Sequence, residues 1–428
     1  MLSIFLRAPL FALLLSLPVL AGQETVKRDI ETLSSPGFSG RMAGEEGNRK
    51  AAEWIRRQAR SAGLLPLPGS HTFAVKGEEL QSLFAELESP EDRVFPLPMV
   101  TRGMLPDLRA ADLRVLPFGE EGNRSPEALR GRWKNEKALL LLPQEGSESF
   151  FMRFRSRAMK RSNRLWQLPG DETTLPLFYG NEELAELLDS DHLPEGWKLS
   201  LPERDPLAFE GRNLLFRLPG NIEGPLLLLV AHYDHLGASD EGYHPGADDN
   251  ASGVSTLLEL ARNLRGRRLP YRLHFLFSDA EEIGLLGSRA SLLQEARPDR
   301  VINLDTVGRG GVDHYRKLRN PKAASDSLLI VWSNREDPFS HLLLESSSRL
   351  QVQEGKGPVF EMASDHHAFS SAGIPSHFLF GGFHLDYHKP GDSAEKVLPW
   401  RIVTLAEILE STLDALEENP ELIRGTSP

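Results

Sequence analysis

The sequence predicts an α/β fold with a mostly parallel central sheet flanked by helices and a smaller β-rich or α+β domain inserted into it. From Asn213 onward, apolar runs of strand length alternate with amphipathic segments of helical length. The run 226–230 contains only leucine and valine, as a strand covered by helices on both faces requires. This alternation indicates βαβ units. The segment from 70 to 206 lacks it and is richer in prolines and charges.

The chain before the inserted segment predicts helices. Residues 25–65 have helical character with an interruption at 35–37. After that break, Ala51, Ile55 and Ala59 recur at the spacing of one helix face. We therefore expect a helical lead-in that packs against the central sheet.

The remaining elements follow in chain order from the same two periodicities. Apolar runs bounded by turn residues predict strands, and apolar residues three and four apart predict helices. The predicted strands are 138–142 and 175–179 in the inserted segment, then 226–230, 272–277, 301–304, 328–332 and 376–380. The predicted helices after Asn213 are 252–264, 285–293, 339–350 and 400–416.

The N-terminus predicts a secretory signal over residues 1–22. This segment has one charged side chain, Arg7, followed by an apolar run over residues 8–20. Residues 19–21 then place small side chains at the positions that a signal peptidase recognises. The apolar run is short for a membrane span, which needs about 20 residues. A retained anchor is the alternative. We expect an exported protein, periplasmic or secreted, that begins near Gln23 and has no stable membrane insertion after cleavage.

Composition narrows the functional classes. The 428-residue chain has a formal net charge of -12, which opposes binding to nucleic acid. The basic segment 150–164 is typical of a solvated helix face. The chain has no cysteine, so it has no disulfide, lipid-anchored cysteine or thiolate zinc site. Any metal must therefore be held by oxygen and imidazole.

Acidic residues and histidines follow the predicted strands at the point where each strand ends. His232 and Asp234 follow the first strand after Asn213, Glu281 and Glu282 follow the second, and Asp305 follows the third. Ligands of open α/β sheets bind at the carboxyl ends of the strands. Adjacent carboxylates such as Glu281 and Glu282 repel each other unless a cation neutralises them. The pattern predicts an N/O site for a pair of divalent metals.

Two further candidates lie on connecting segments. Asp248 precedes the predicted helix 252–264, where an aspartate is ordinarily a helix cap. His388 lies in a loop before the last helix, where a histidine is ordinarily exposed, and Asp392 follows it. Each residue alone has such a structural explanation. Their joint occurrence on successive connections favours the metal site.

These motifs resemble those of a known family. The stretches 231–237, 245–253 and 279–288 look like those of the dinuclear zinc exopeptidases of the bacterial leucyl aminopeptidase and aminopeptidase Y family. The segments 303–305, 364–366 and 387–388 follow in the family's order, and the helical lead-in is also similar. The resemblance covers about 25–65 and 213–416.

The resemblance implies a set of roles for these residues. The metal ligands would be His232, Asp248, Glu282, Asp305 and His388. Asp248 would bridge two zinc ions, Glu281 would be the general base acting on a water between them, and Asp234 would accept a hydrogen bond from His232. The family also implies a cis peptide between Asp248 and Asp249. His366 and His367 are not assigned as ligands, and His235 and His244 have no assigned role.

Several family members carry a protease-associated domain between the helical lead-in and the first metal strand. Residues 90–206 occupy that place and look like a divergent copy. The predicted organisation is therefore a signal over 1–22, a discontinuous zinc peptidase domain over 23–89 and 207–428, and the protease-associated-like insert.

The predicted function is that of an exported binuclear zinc exopeptidase, an aminopeptidase that hydrolyses N-terminal residues from peptides. Glutaminyl cyclases resemble the family but use one zinc, and carboxypeptidase and dipeptidase members also exist. A non-catalytic receptor or scaffold on the same fold is the alternative of another class. Such a protein should have lost ligands or the base, and none is missing here.

Overall fold

The computed structural model describes most of the chain. It covers residues 8–425 apart from 70, 101–103, 119–128, 130–131, 134, 145–163, 170–174, 189, 221, 240–241, 295–296, 311–325 and 356–357, with side chains from residue 21 onward except at 358 and 359. The start of the predicted signal and almost all of the basic segment 150–164 lie outside the described residues. None of the helices formed by the described residues combines the length and apolar character that crossing a bilayer requires.

The described helices lie mostly where the periodicity predicts them. They are α1 (Ala8–Leu33), α2 (Glu46–Ser61), α3 (Glu182–Leu187), α4 (Gly253–Asn263), α5 (Leu286–Gln294), α6 (Pro338–Ser346), α7 (Pro358–Glu361), α8 (His366–Ser371) and α9 (Pro399–Glu418). Shorter 3₁₀ turns cover Pro36–Arg41, Ala110–Asp112, Ala394–Lys396 and Pro420–Ile423. Proline in the first turn begins both α6 and α9, where its missing N–H costs no helical hydrogen bond.

The described strands are numbered along the chain. They are β1 (Leu65–Pro66), β2 (Thr72–Leu80), β3 (Phe84–Glu88), β4 (Val94–Val100), β5 (Leu113–Phe118), β6 (Ala138–Pro143), β7 (Arg164–Gln167), β8 (Leu177–Tyr179), β9 (Lys198–Ser200), β10 (Arg204–Arg212), β11 (Leu214–Arg217), β12 (Leu226–His232), β13 (Ala238–Ser239), β14 (Gly242–Tyr243), β15 (Arg272–Ser278), β16 (Arg300–Asp305), β17 (Ser327–Trp332), β18 (Gln351–Glu354) and β19 (Ser376–Phe380).

The described part of the chain splits into two compact units. One joins the chain up to Phe73 with the chain from Gly211 onward, and the other spans Ala74–Glu210. The second unit therefore begins before residue 90, because β3 and β4, on either side of that position, pair with each other.

The first unit contains a mixed sheet of eight described strands in the order β1-β11-β15-β12-β16-β19-β17-β18. Its four central strands, β15, β12, β16 and β19, are parallel to one another. At the two sides of this group, β11 runs antiparallel to β15 and β17 runs antiparallel to β19. The prediction of a mostly parallel central sheet is thus confirmed. The central parallel strands carry their carboxyl ends to one edge.

Both faces of this sheet are covered. On β12, Leu227 and Leu229 belong to a large apolar cluster that includes residues of α2, α4, α6 and α9. Their neighbours Leu228 and Val230 point to the other face, where they pack with Phe369 of α8. Successive side chains of a strand alternate between faces, so an all-apolar strand can be buried on both. This explains the purely apolar run that predicted β12.

The second unit is built mainly from strands. Its described residues form a sheet in the order β5-β6-β8-β4-β3-β9, and β10, β2 and β7 form a second sheet. Leu87, Leu97, Leu140 and Phe178 lie in its core, which α3 also covers through Leu184. The predicted strands at 138–142 and 175–179 correspond to β6 and β8. The likeness to a protease-associated domain stays a prediction.

Candidate metal centre

The candidate site lies at the carboxyl edge of the central strands. His232 is the last residue of β12, Asp305 is the last residue of β16, and Glu281 and Glu282 lie in the turn after β15. Because β12 pairs with β15 on one side and with β16 on the other, these four side chains are brought together. The side chains that the strand-end pattern predicts to be neighbours therefore lie at one edge of the sheet.

A first cluster surrounds the fully buried His232. Its Nε2 lies 3.4 Å from Asp249 Oδ1, 3.5 Å from Asp305 Oδ1 and 4.0 Å from Glu281 Oε2. The opposite nitrogen, Nδ1, is 3.2 Å from the backbone oxygen of Asp234. A hydrogen bond donated by Nδ1 to that oxygen leaves the Nε2 lone pair directed at the carboxylates.

A second cluster lies on the other side of Asp249. His388 Nε2 is 3.1 Å from Asp249 Oδ2 and 3.4 Å from Glu282 Oε2. The two oxygens of Asp249 therefore face two different histidines, His232 and His388. A carboxylate in this position can contact two ions at once.

The structure corrects the assignment of the bridging position. The cis peptide joins Asp249 to Asn250, not Asp248 to Asp249. Asp248 points away from both clusters, and its Oδ1 accepts a hydrogen bond from the N–H of Gly308 at 2.6 Å. Asn250 takes the capping role, since its Oδ1 accepts from the N–H of Gly253 at 2.9 Å. Adjacent residues point to different sides of a chain, so the shift by one residue exchanges a site residue for a structural one.

Asp248 contributes to a buried support of the turn. Its Oδ2 lies 3.4 Å from His384 Nε2. Asp392, a candidate supporting residue from the sequence, accepts hydrogen bonds of 3.0–3.1 Å from the backbone N–H groups of Asp248 and Asp249. These contacts fix the backbone from which the Asp249 carboxylate projects.

Asp234 acts on the glutamate pair more directly than on His232. Its carboxylate is 3.7 Å from His232 Nδ1, which is longer than the contact of that nitrogen with the Asp234 carbonyl. The same carboxylate accepts from the backbone N–H of Glu281 at 3.0 Å and of Glu282 at 3.2 Å. Asp234 therefore ties the turn after β15 to the end of β12.

Arg41 supports the same loops through hydrogen bonds to their backbone carbonyls. Its side chain is fully buried and donates hydrogen bonds of 2.6–2.9 Å to the carbonyls of Tyr233, Pro245, Gly246 and Leu33. Tyr233 lies between two residues of the site, and the next two carbonyls lead into the Asp249 turn. Burial lowers the pKa of Arg41 to about 10, while Asp249 and Asp392 act in the opposite direction. A sequence pattern does not reveal this role, because each partner is a backbone oxygen.

The electrostatics of the centre reflect a surplus of carboxylates. Burial raises the pKa of Glu281 well above its ordinary value, and the neighbouring Glu282 and Asp305 add to this rise. Burial acts to lower the pKa of His232, but Glu281 and Asp305 outweigh it, so the pKa lies well above the usual range. Like charges that share a buried site are stabilised by protons or by a cation.

The residues present fit divalent metal ions. Nε2 of His232 and Oδ2 of Asp249 are buried without a hydrogen-bond partner among the described residues. Two ligands at 2.0–2.1 Å from a tetrahedral zinc lie about 3.3 Å apart. The separations of His232 from Asp249 and Asp305, and of His388 from Asp249 and Glu282, are 3.1–3.5 Å. Nitrogen and carboxylate oxygen ligands at such separations suit zinc and related ions.

The other histidines near the site differ from these. His366 Nε2 lies 3.0 Å from the backbone oxygen of Phe360, and its ring stacks on Phe378 at 4.3 Å. Its burial lowers its pKa to about 3. His235 Nδ1 lies 2.6 Å from Glu282 Oε1. No role was predicted for His235 from the sequence, where its only signal is the three-residue spacing from His232.

Comparison with known proteins agrees with the fold. Residues 213–412 match the model of peptidase family M28. Aminopeptidase YwaD from Bacillus subtilis (strain 168) is 29% identical over 221 residues, which cover 48% of this chain and 45% of YwaD. The chain thus spans about half the length of the curated relatives it matches.

Two solved structures share the fold. An aminopeptidase from Aneurinibacillus sp. strain AM-1 superimposes with a TM-score of 0.59 at 19% identity, covering 91% of this chain and 92% of that one. BSAP, a zinc aminopeptidase from Bacillus subtilis, gives a TM-score of 0.51 at 20% identity, covering 92% and 95%. Both histidine clusters lie within residues 213–412, the segment that is similar to peptidase family M28.

Proposed function

We propose that this protein is an exported binuclear zinc exopeptidase that acts as an aminopeptidase on peptides. The observation that carries the proposal is the position of Asp249, whose two carboxylate oxygens face His232 and His388 at 3.4 and 3.1 Å. One ion would be held by His232, Asp249 and Asp305, and the other by Asp249, Glu282 and His388. Bound divalent ions would polarise a peptide carbonyl and acidify water.

Glu281 is proposed as the general base. Its Oε2 is 4.0 Å from His232 Nε2, longer than the contacts of the proposed ligands, so it stands beside the ligand set rather than in it. Burial and neighbouring carboxylates favour its protonated form, which suits a group that takes a proton from water and returns it to the leaving amine. The Asp234 carboxylate holds Glu281 in place by accepting a hydrogen bond from the Glu281 backbone N–H.

The proposed substrates are peptides with a free amino terminus, in keeping with the aminopeptidases that this chain resembles. The net charge of -12 argues against nucleic acid as a partner. Export is supported by the predicted signal over residues 1–22. It is tested by N-terminal sequencing of protein recovered from outside the cytoplasm, which should begin near Gln23.

The first experiment measures metal content by elemental analysis together with hydrolysis of a panel of aminoacyl chromogenic amides. We expect two zinc ions per chain and cleavage of amides that carry a free amine, with no cleavage of their N-acetylated forms. One zinc with formation of pyroglutamate from N-terminal glutamine would replace the proposal with a cyclase. No metal and no turnover would replace it with a non-catalytic receptor.

A further inference from the structure

We propose that His235 is a positioning residue for Glu282: by donating a hydrogen bond to one carboxylate oxygen, it reserves the other for the second metal ion. The inference rests on the proposed function, since it concerns the same centre. His235 is fully buried, and its Nδ1 lies 2.6 Å from Glu282 Oε1. The other oxygen, Oε2, faces His388 at 3.4 Å.

The distances separate the roles of the two histidines beside Glu282. Two ligands of one tetrahedral zinc lie about 3.3 Å apart, which matches His388 and Glu282. A separation of 2.6 Å between His235 Nδ1 and Glu282 Oε1 is too short for two ligands of one ion and has the length of a charge-assisted hydrogen bond. Nδ1 also lies 3.9 Å from Asp249 Oδ2. His235 therefore contacts the carboxylate directly rather than through an ion.

Burial indicates which nitrogen of His235 carries the proton. Nε2 is buried and has no hydrogen-bond partner among the described residues. A proton on Nε2 would leave a buried donor unsatisfied, whereas a proton on Nδ1 is used by Glu282. The neutral tautomer with Nδ1–H fits both observations and makes His235 a donor.

The surroundings hold the imidazole in this orientation. A side-chain carbon added at Gly246 would lie 2.5 Å from His235 Cδ2, so the ring packs directly on the Gly246 backbone. Gly246 has a φ of 58°, a region that glycine adopts without strain. The backbone N–H of His235 donates to the Arg41 carbonyl at 3.2 Å, and Arg41 in turn donates to the Gly246 carbonyl. Gly246 and Arg41, which are hydrogen-bonded to each other, thus hold the ring and the main chain of His235.

The consequence is an asymmetry between the two ion positions. His235 contacts a proposed ligand of the second ion, while the first ion would be held by residues that His235 does not contact at hydrogen-bond distance. Loss of a hydrogen bond to a ligand typically weakens metal binding by about 10–100-fold. We expect removal of the His235 donor to weaken the second ion by this factor and to leave the first ion in place.

The test titrates the metal-free full-length protein with Zn²⁺ against a chromogenic chelator and resolves the two binding steps. Asparagine at 235 places an amide N–H near the position of Nδ1, whereas glutamine places it near Nε2. We therefore expect His235→Asn to keep most of the second-step affinity, and His235→Gln and His235→Ala to lose 10–100-fold. His274→Gln, which changes a histidine near the amino end of β15 and away from the carboxyl ends that form the site, is the control.

The outcomes distinguish this inference from the function on which it rests. Unchanged second-step affinity in His235→Gln, or equal losses in His235→Asn and His235→Gln, would overturn the positioning role. Equal weakening of both steps would overturn the asymmetry. A parent protein that binds one ion or none would refute the proposed binuclear centre itself. If His235→Ala does not fold, the pair of amide variants still decides the question.

Discussion

Two regions of the first unit bury charged side chains in opposite ways. In the candidate metal centre, four carboxylates and two histidines converge, and two of their buried atoms, His232 Nε2 and Asp249 Oδ2, have no hydrogen-bond partner among the described residues. In the second region, which we name the Arg300 cluster, Arg300 and Asp337 form an ion pair of 2.8 Å beside Phe339, Ser340 and His377. Arg300 and Asp337 are as deeply buried as His232 and Asp249, so burial of charge does not by itself mark a functional site.

The difference lies in whether the charges are matched. Arg300 donates to Asp337 Oδ2 and to the carbonyls of Leu422 and Ile423. The other oxygen of Asp337 caps α6 by accepting from the N–H of Phe339 at 2.9 Å. Each charge there has a partner of the opposite kind. The candidate metal centre instead has more carboxylate and imidazole lone pairs than positive charges or donors to match them, so it can bind cations.

The largest expected effect comes from removing the bridging carboxylate. Asp249→Ala should lose both ions and reduce hydrolysis to background, because Asp249 faces both histidines. Asp248→Ala, one residue earlier, should keep both ions and lose about 1–3 kcal/mol of folding stability with its hydrogen bond to Gly308. Elemental analysis and chemical unfolding of the pair measure both effects. A metal-free Asp248→Ala protein would restore the assignment made from the sequence.

Removing the base should separate metal binding from turnover. Glu281→Gln keeps the size of the side chain but removes its ability to take a proton, so we expect two bound ions and a kcat lowered by about 10²–10⁴-fold. Glu282→Gln should instead weaken one of the two ions, because Glu282 faces His388. Metal content measured beside kcat distinguishes the two variants. Normal turnover in a zinc-loaded Glu281→Gln enzyme would rule out the base assignment.

The positions of most site residues could be predicted because the backbone dictates them. His232 and Asp305 end strands that their apolar runs identify, and parallel strands bring their carboxyl ends to one edge. The choice between Asp248 and Asp249 could not be made in this way. It depends on the backbone of one turn, in which Asn250 rather than Asp249 caps α4.

The role of His235 and the strand β4 could not be predicted from the sequence, for two different physical reasons. His235 acts through a single side-chain contact with Glu282, which lies 47 residues away along the chain. In the second unit, β4 contains Pro96 and Pro98, and proline disfavours a strand that is paired on both sides. The strand accommodates them by pairing with β3 at its prolines and with β8 only at Met99 and beyond. Such local solutions follow from tertiary contacts rather than from periodicity.

Breaking the Arg300 cluster should cost stability and leave the chemistry intact. Arg300→Met leaves the Asp337 carboxylate buried without its cation, a change that typically costs about 3–5 kcal/mol. The double variant with Asp337→Asn removes both charges and should recover part of this loss. Chemical unfolding measures the free energy, and elemental analysis should find the metal content unchanged. Loss of zinc from a folded Arg300→Met protein would contradict the separation of the two regions.

The smallest expected effect is a pH dependence of stability within the Arg300 cluster. Burial, with a further contribution from Arg300, lowers the pKa of His377 from 6.5 to about 3. Between these two pKa values, His377 is protonated in the unfolded chain and neutral in the folded chain. The contribution of neutral His377 to stability is therefore present above pH 6.5 and is lost as the pH falls towards 3. The slope should approach about 1.4 kcal/mol per pH unit within that window. His377→Gln should flatten the slope in chemical unfolding measured between pH 6.5 and 4.5, whereas the exposed His341→Gln should keep it. An unchanged slope in His377→Gln would show that other groups set the acid sensitivity of this unit.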